Sequence, residues 1–144
     1  MRLVLDTNVV VSALLWDGAP KQLLRVSHSE GVLLFTSTPL LVELTETLSK
    51  KKLGRKIAAS RLSADHLVNF YAESVSVVRP IFVPRIAPDP DDDVVIGTAL
   101  AAKADFVVTG DRTLLAVAAY EGVRIVSVSE ALRTIAQGVS HEAP

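Results

Sequence analysis

Apolar and polar positions along this chain follow two periods. Nearly unbroken apolar runs occur at Leu3-Val4-Leu5, residues 32–36, Phe106-Val107-Val108 and Arg124-Ile125-Val126, and residues 74–79 alternate through Val75 and Val77. These runs predict short strands. Between them the spacing turns helical. Residues 8–29 read as helix, interrupted at Asp17-Gly18-Ala19-Pro20, where Pro20 suits a helical first turn. A helix over 38–51 is expected to open with Thr38 as N-cap and Pro39 in its first turn. Ser63 caps a helix over 63–72, and further helices are expected over 90–103, 112–120 and 129–137, the last capped by Ser127 or Ser129. Residues 80–90 hold four of the seven prolines, Pro80, Pro84, Pro88 and Pro90, which excludes a long helix or a central strand there. Strands alternating with helices imply an α/β fold whose parallel sheet is covered on both faces.

With 144 residues and 49% hydrophobic content, the chain is expected to form one domain, residues 1–144, with a sizeable core. Cysteine is absent, so disulfide scaffolds, thiol nucleophiles and Cys-type zinc sites are excluded. A carboxylate at position 6 rules out a secretory apolar region at the start, and the longest apolar runs are far short of the ~20 residues that span a bilayer. The expectation is a cytoplasmic protein away from the membrane. Fifteen basic residues against sixteen acidic ones leave no global basic surface.

In parallel sheets ligands sit at the carboxyl ends of the strands. Asp6 directly follows the first strand, and Asp111 follows Phe106-Val107-Val108-Thr109-Gly110. Each alone reads equally well as a cap for the next helix. Helix angle sorts the other acids. Leu40, Leu41, Leu44 and Leu48 fall within an apolar stripe of roughly 100°, with Glu43 at its edge and Glu46 almost opposite. In Asp89-Pro90-Asp91-Asp92-Asp93, Asp89 suits an N-cap. Asp92 lies along the centre of the stripe set by Val95, Ile96, Ala99 and Leu100, with Asp91 and Asp93 about 100° to either side. A buried ionised Asp needs a partner, either a backbone cap or a cation. Carboxylates converging from several elements suit a hard divalent ion such as Mg²⁺ or Mn²⁺.

Asp6-Thr7-Asn8, Leu41-Val42-Glu43-Leu44, Asp89–Asp93 leading to Ala99-Leu100-Ala101, and Val107-Val108-Thr109-Gly110-Asp111, in that order over residues 1 to about 133, resemble the PIN-domain family. The nearest subgroup is the toxin components of prokaryotic toxin–antitoxin systems, the VapC-like toxins. The resemblance implies a three-layer α/β/α sandwich with a central, mostly parallel sheet and a ribonuclease dependent on one or two Mg²⁺ or Mn²⁺ ions. It matches Asp6, Glu43, Asp92 and Asp111 to the family's acidic quartet, as both catalytic residues and metal ligands. It also matches Asn8 to a position bracing the first Asp, and Thr109 to a polar position near the site. Asp92 is preferred for its distance to Ala99-Leu100, while Asp91 or Asp93 remains open as a replacement or an additional ligand. Asp105 fits the pattern too, but lies before its strand and is assigned no metal. An RNA substrate, a cognate antitoxin and a homodimer follow as implied partners.

Lys50, Lys51, Lys52, Arg55, Lys56 and Arg61 put six basic residues and no acid within 50–61, read either as a solvated face or as a phosphate-tracking patch. Arg112 is a further candidate for phosphate contact. Trp16 is expected in the core or at a homodimer contact. His28, His66 and His141 lack ligand spacing and read as structural or surface residues. Among rivals, an Asp-based phosphatase wants Asp-x-Asp after the first strand, where position 8 is Asn. A receiver-like domain wants an acid pair and a late lysine. A dinucleotide-binding domain wants a Gly-x-Gly-x-x-Gly that is absent. A catalytically inactive PIN fold that binds RNA or a partner is the remaining alternative.

Overall fold

A computed structural model describes residues 1–29 and 31–142, with backbone alone for 139–142, so the His141 side chain lies outside the described residues. In chain order the elements are β1 (Arg2–Leu5), α1 (Thr7–Leu15), α2 (Ala19–Val26), β2 (Leu33–Thr36), α3 (Thr38–Leu48), a 3₁₀ turn (Lys51–Leu53) and α4 (Gly54–Ser60). They continue with α5 (Ala64–Glu73), β3 (Ser76–Val77), α6 (Pro90–Ala102), β4 (Phe106–Val108), α7 (Arg112–Leu115), β5 (Ala119–Tyr120), β6 (Val123–Val126) and α8 (Val128–Glu142). The strands form one sheet in the order β3-β2-β1-β4-β6-β5, all parallel except β5.

Strand alternation divides the core between the two faces. Leu3, Leu5, Phe106 and Val108 pack with α1, α2, α5 and α8 on one side, through residues such as Val10, Leu23, Leu67 and Ala131. Val4, Val107 and Ile125 point the other way, onto Val95, Ile96 and Ala99 of α6 and Leu114 of α7. This is the expected α/β/α sandwich. No helix among the described residues is long and apolar enough to cross a membrane.

The chain runs β1-β2-β3 outward in one direction, then returns to lay β4 on the other side of β1. The crevice between β1 and β4 is therefore the place where strand order reverses, the position at which open α/β sheets bind ligands. The backbone locks it: Asp6 N–H donates to Val108 O at 2.9 Å and Thr109 N–H to Val126 O at 3.0 Å.

Local chemistry corrects three expectations. Ser37, not Thr38, precedes α3; its hydroxyl leaves the helix end uncapped and instead pairs with Thr98 Oγ1 at 2.8 Å, a buried bond between α3 and α6. Residues 112–120 are not one helix. After the single turn of α7 the chain reverses at Glu121-Gly122, both with positive φ, and β5 pairs antiparallel with β6. Acid-Gly is a two-residue hairpin signal that helical spacing over 112–120 obscures. Trp16 is not core: it is 39% exposed beyond the end of α1, with Lys56 Nζ 5.3 Å from its ring centroid.

The proline-rich strap over 78–89 crosses α6 at Gly97, where Ile81 N–H donates to Gly97 O at 3.0 Å. A Cβ on Gly97 would collide with the Ile81 carbonyl oxygen. Gly97→Ala is expected to destabilise the protein by about 1–3 kcal/mol, read as a lower urea midpoint at unchanged slope; an unchanged midpoint would show that the strap yields freely.

Candidate active site

Asp6 leaves β1 as the N-cap of α1. Its Oδ1 accepts Thr7 N–H at 2.9 Å, and its Oδ2 accepts the Thr109 hydroxyl at 2.7 Å from the adjacent strand end. Thr109 Oγ1 in turn accepts Asp111 N–H at 3.0 Å. Asp111 caps α7, its Oδ1 accepting Thr113 N–H and Thr113 Oγ1 at 2.9 and 2.7 Å. One threonine thus ties together the two acids that follow β1 and β4. Asn8, expected to brace Asp6, is exposed on the first turn of α1 and lines a shallow depression with Ser12, Gly110 and Asp111. The brace is Thr109.

Glu43 comes from the second turn of α3, half-buried at the stripe edge, while Glu46 is exposed as the helix angle requires. Its neighbour on α1 is Thr7. The Thr7 hydroxyl is buried without a full hydrogen bond, yet lies close enough to Glu43 to temper the upward push on its pKa. Asp92 lies in the first turn of α6, 7% exposed. Asp93 is equally buried, which its helix angle did not foretell, and the reason is a backbone partner: Oδ1 accepts Ile86 N–H at 3.1 Å and Ala87 N–H at 2.9 Å, and Arg85 Nε lies 3.4 Å from Oδ2. Asp93 therefore anchors the strap. Asp91 is exposed, and Asp89 caps the helix through Asp91 N–H. Of the three consecutive acids, only Asp92 turns a buried oxygen, Oδ2, toward neither a donor nor a cation.

Electrostatics confirms that these acids share one neighbourhood. Burial pushes the Asp92 carboxyl up to about 6, and the charges of Asp111, Asp6, Asp89 and Glu43 add to the effect. Burial also raises Asp6, against the opposing pull of Thr109 and Thr7, with Asp111 adding repulsion. Glu43 is raised first by burial, then by Asp6, Asp91 and Asp89. Asp111 goes the other way because Thr113 stabilises its charged form. The acids feel one another without closing into a cage: among the described residues, no three acidic or histidine side chains are grouped tightly enough to hold an ion. That is looser than the convergence expected from sequence. Like charges hold the carboxylates apart, and Asp6 and Asp111 are satisfied by threonine hydroxyls instead.

The remaining expected residues lie elsewhere. Asp105 sits at the opposite end of the sheet, accepting Arg2 N–H at 2.8 Å. Lys50, Lys51, Lys52, Arg55, Lys56 and Arg61 are all exposed beyond the carboxyl end of α3. Lys56 stacks on Trp16, which lies roughly 13 Å along the α1 axis from Thr7. Arg112 is exposed and adjoins Asp111. His28 and His66 are exposed, His66 pairing with Ser63. Sequence reasoning missed Arg79, Phe82 and Arg85, which the strap presents to solvent. Their signal was present in the string Arg79-Pro80-Ile81-Phe82-Val83-Pro84-Arg85, an aromatic between two cations with no acid among them.

A profile described as PIN domain matches residues 2–113. No curated protein sequence matches the chain. Among solved structures, VapBC2 from Rickettsia felis, crystallised bound to a DNA fragment from its promoter, is similar at a TM-score of 0.61 and 14% identity, covering 88% of this chain and 98% of that one.

A carboxyl whose folded value is near 6, against an ordinary 3.8, is protonated in the folded chain and ionised in the unfolded chain between those values. Stability from Asp92 is then present at low pH and lost as pH rises through about 6. Without added metal, Asp92→Asn is expected to stabilise the protein at about pH 7.5 by on the order of 1 kcal/mol, allowing for solvent screening, and to lose that advantage at about pH 4. Paired urea melts check this, and a gain independent of pH would sink it.

Proposed function

Because the chain belongs to the PIN-domain family, we propose that it is a metal-dependent endoribonuclease, the toxin of a toxin–antitoxin pair, with residues 1–144 forming one nuclease domain and a cytoplasmic RNA as substrate. The observation that carries this reading is the buried, unpartnered Asp92 Oδ2, set in the same electrostatic neighbourhood as Asp6, Glu43 and Asp111 at the reversal point of the sheet. An oxygen-only donor set and an orphaned carboxylate oxygen fit a hard divalent cation. Asp6, Glu43, Asp92 and Asp111 would hold it once drawn closer together than they stand here. Bound Mg²⁺ or Mn²⁺ supplies charge neutralisation for a phosphate and makes water more acidic.

The chain's own groups prepare that chemistry. Each Asp6 oxygen accepts one hydrogen bond and keeps a further lone pair free, so Thr7 and Thr109 orient the carboxylate without exhausting it. Thr113 keeps Asp111 ionised. Burial and mutual repulsion hold Asp92, Asp6 and Glu43 in a state that gains from an arriving positive charge. Arg112, exposed beside Asp111, would meet a phosphate oxygen in this reading. A cognate antitoxin is the protein partner in this reading, supported by the likeness of fold to VapBC2.

Mixed-sequence single-stranded RNAs are expected to be cut with Mg²⁺ or Mn²⁺ and spared in EDTA. Asp6→Asn and Asp92→Asn should each lose about 100-fold or more in rate, while Glu46→Gln, on the solvated side of α3, retains wild-type rates. Cutting that persists in EDTA, or in both Asn variants, would defeat the hydrolase reading; RNA bound but never cut would favour the inactive binding module.

A further inference from the structure

Phe82 is 92% exposed, the most open of the large apolar side chains among the described residues. Its backbone is nevertheless held on both sides. Ile81 N–H is bonded to Gly97 O. Past the ring, Asp93 Oδ1 takes the N–H groups of Ile86 and Ala87, and Arg85 Nη2 donates to Pro88 O at 2.7 Å. Proline on either side, Pro80 and Pro84, further restricts the backbone. A ring displayed to water on a pre-ordered segment gains nothing for the fold and is available for binding.

Position ties it to the acids. Pro39 and Val94 line both the depression that holds Ile81 and Phe82 and the one that holds Glu43 and Asp91. Gly97, where the strap crosses, is five residues from Asp92, about 7.5 Å along the α6 axis. Charge selects the ligand. Arg79 and Arg85 are exposed and stand three residues before and after Phe82 in the chain; Arg79 has no ion-pair partner among the described residues, Arg85 keeps solvent exposure while bonded to Asp93 and Pro88 O, and residues 74–88 contain no acid. An exposed aromatic flanked along the chain by cations matches a nucleobase and its phosphates. A two-fold contact centred on the ring would instead bring the arginines of both copies together.

We propose that Phe82 is a stacking platform for an unpaired RNA base next to the cleaved position, with Arg79 and Arg85 drawing in the flanking phosphates. This rests on the ribonuclease reading. It also gives the acidic crevice, which repels phosphate, an attractive neighbour.

The test uses the full chain and a fluorescently labelled single-stranded RNA of mixed sequence, read by anisotropy and, separately, by cleavage kinetics. Phe82→Ala is expected to weaken binding about five- to tenfold, raising KM while kcat stays within about twofold. Phe82→Trp should bind as wild type, and Phe82→Leu, apolar but without a ring face, should resemble the alanine variant. Wild-type affinity in the alanine variant, or in the leucine variant, overturns the proposal. So does a fall from dimer to monomer in sedimentation of Phe82→Ala, which would assign the ring to a contact between copies. Failure of the ribonuclease reading is distinguishable: wild type would then leave RNA intact while the affinity series still answers for the ring.

Discussion

The parallel pairing of β1 with β4 forces Asp6 and Asp111, far apart in sequence, to the same sheet end. Everything else at the site answers to that pairing. Backbone hydrogen bonds fix the two strand ends in register, so Asp6 and Asp111 cannot separate far even though their charges oppose each other. From between them, the single Thr109 hydroxyl donates to Asp6 and accepts from the Asp111 backbone. Helices α3 and α6 then bring Glu43 and Asp92 in from the flanks, and the buried Ser37–Thr98 hydroxyl pair fixes one helix against the other. Stability is traded for poise: a set of acids raised by burial and mutual repulsion is a set waiting for positive charge.

Much of this was legible in the sequence, for a definable reason. Buried strands in a parallel sheet are mostly apolar, so β1 and β4 announce themselves; Asp6 directly follows the first, and Asp111 follows the second after Thr109-Gly110. Helix angle separated Glu43 from Glu46 and pointed to Asp92, because α3 and α6 both lie on a core that sets their orientation. The same reasoning misjudged Asp93, since angle reports which side of a helix meets the core and says nothing of a loop folded over the flank. Size and apolarity favour placing Trp16 in the core or at a contact between copies; the core half of that reading fails because the ring lies at the surface under a cation. Residues 112–120 kept a helical spacing by chance, while the decisive signal was confined to Glu121-Gly122.

The strap was the least readable segment. Its prolines state what the chain does not do there, and the contacts that order it come from Gly97 and Asp93, residues beyond it in sequence whose roles depend on the packed fold. A glycine inside a helix and an acid beside two others carry no label for such work.

The anchoring of that strap makes the first turn of α6 intolerant of length changes. Consecutive side chains there, Asp92 and Asp93, divide between an open carboxylate and a backbone clasp, and only their order along the chain keeps the two apart. One residue gained or lost between Asp89 and Asp92 rotates the helix by about 100°, swaps a clasp for a bare charge, and unfastens the loop and the crevice in a single stroke.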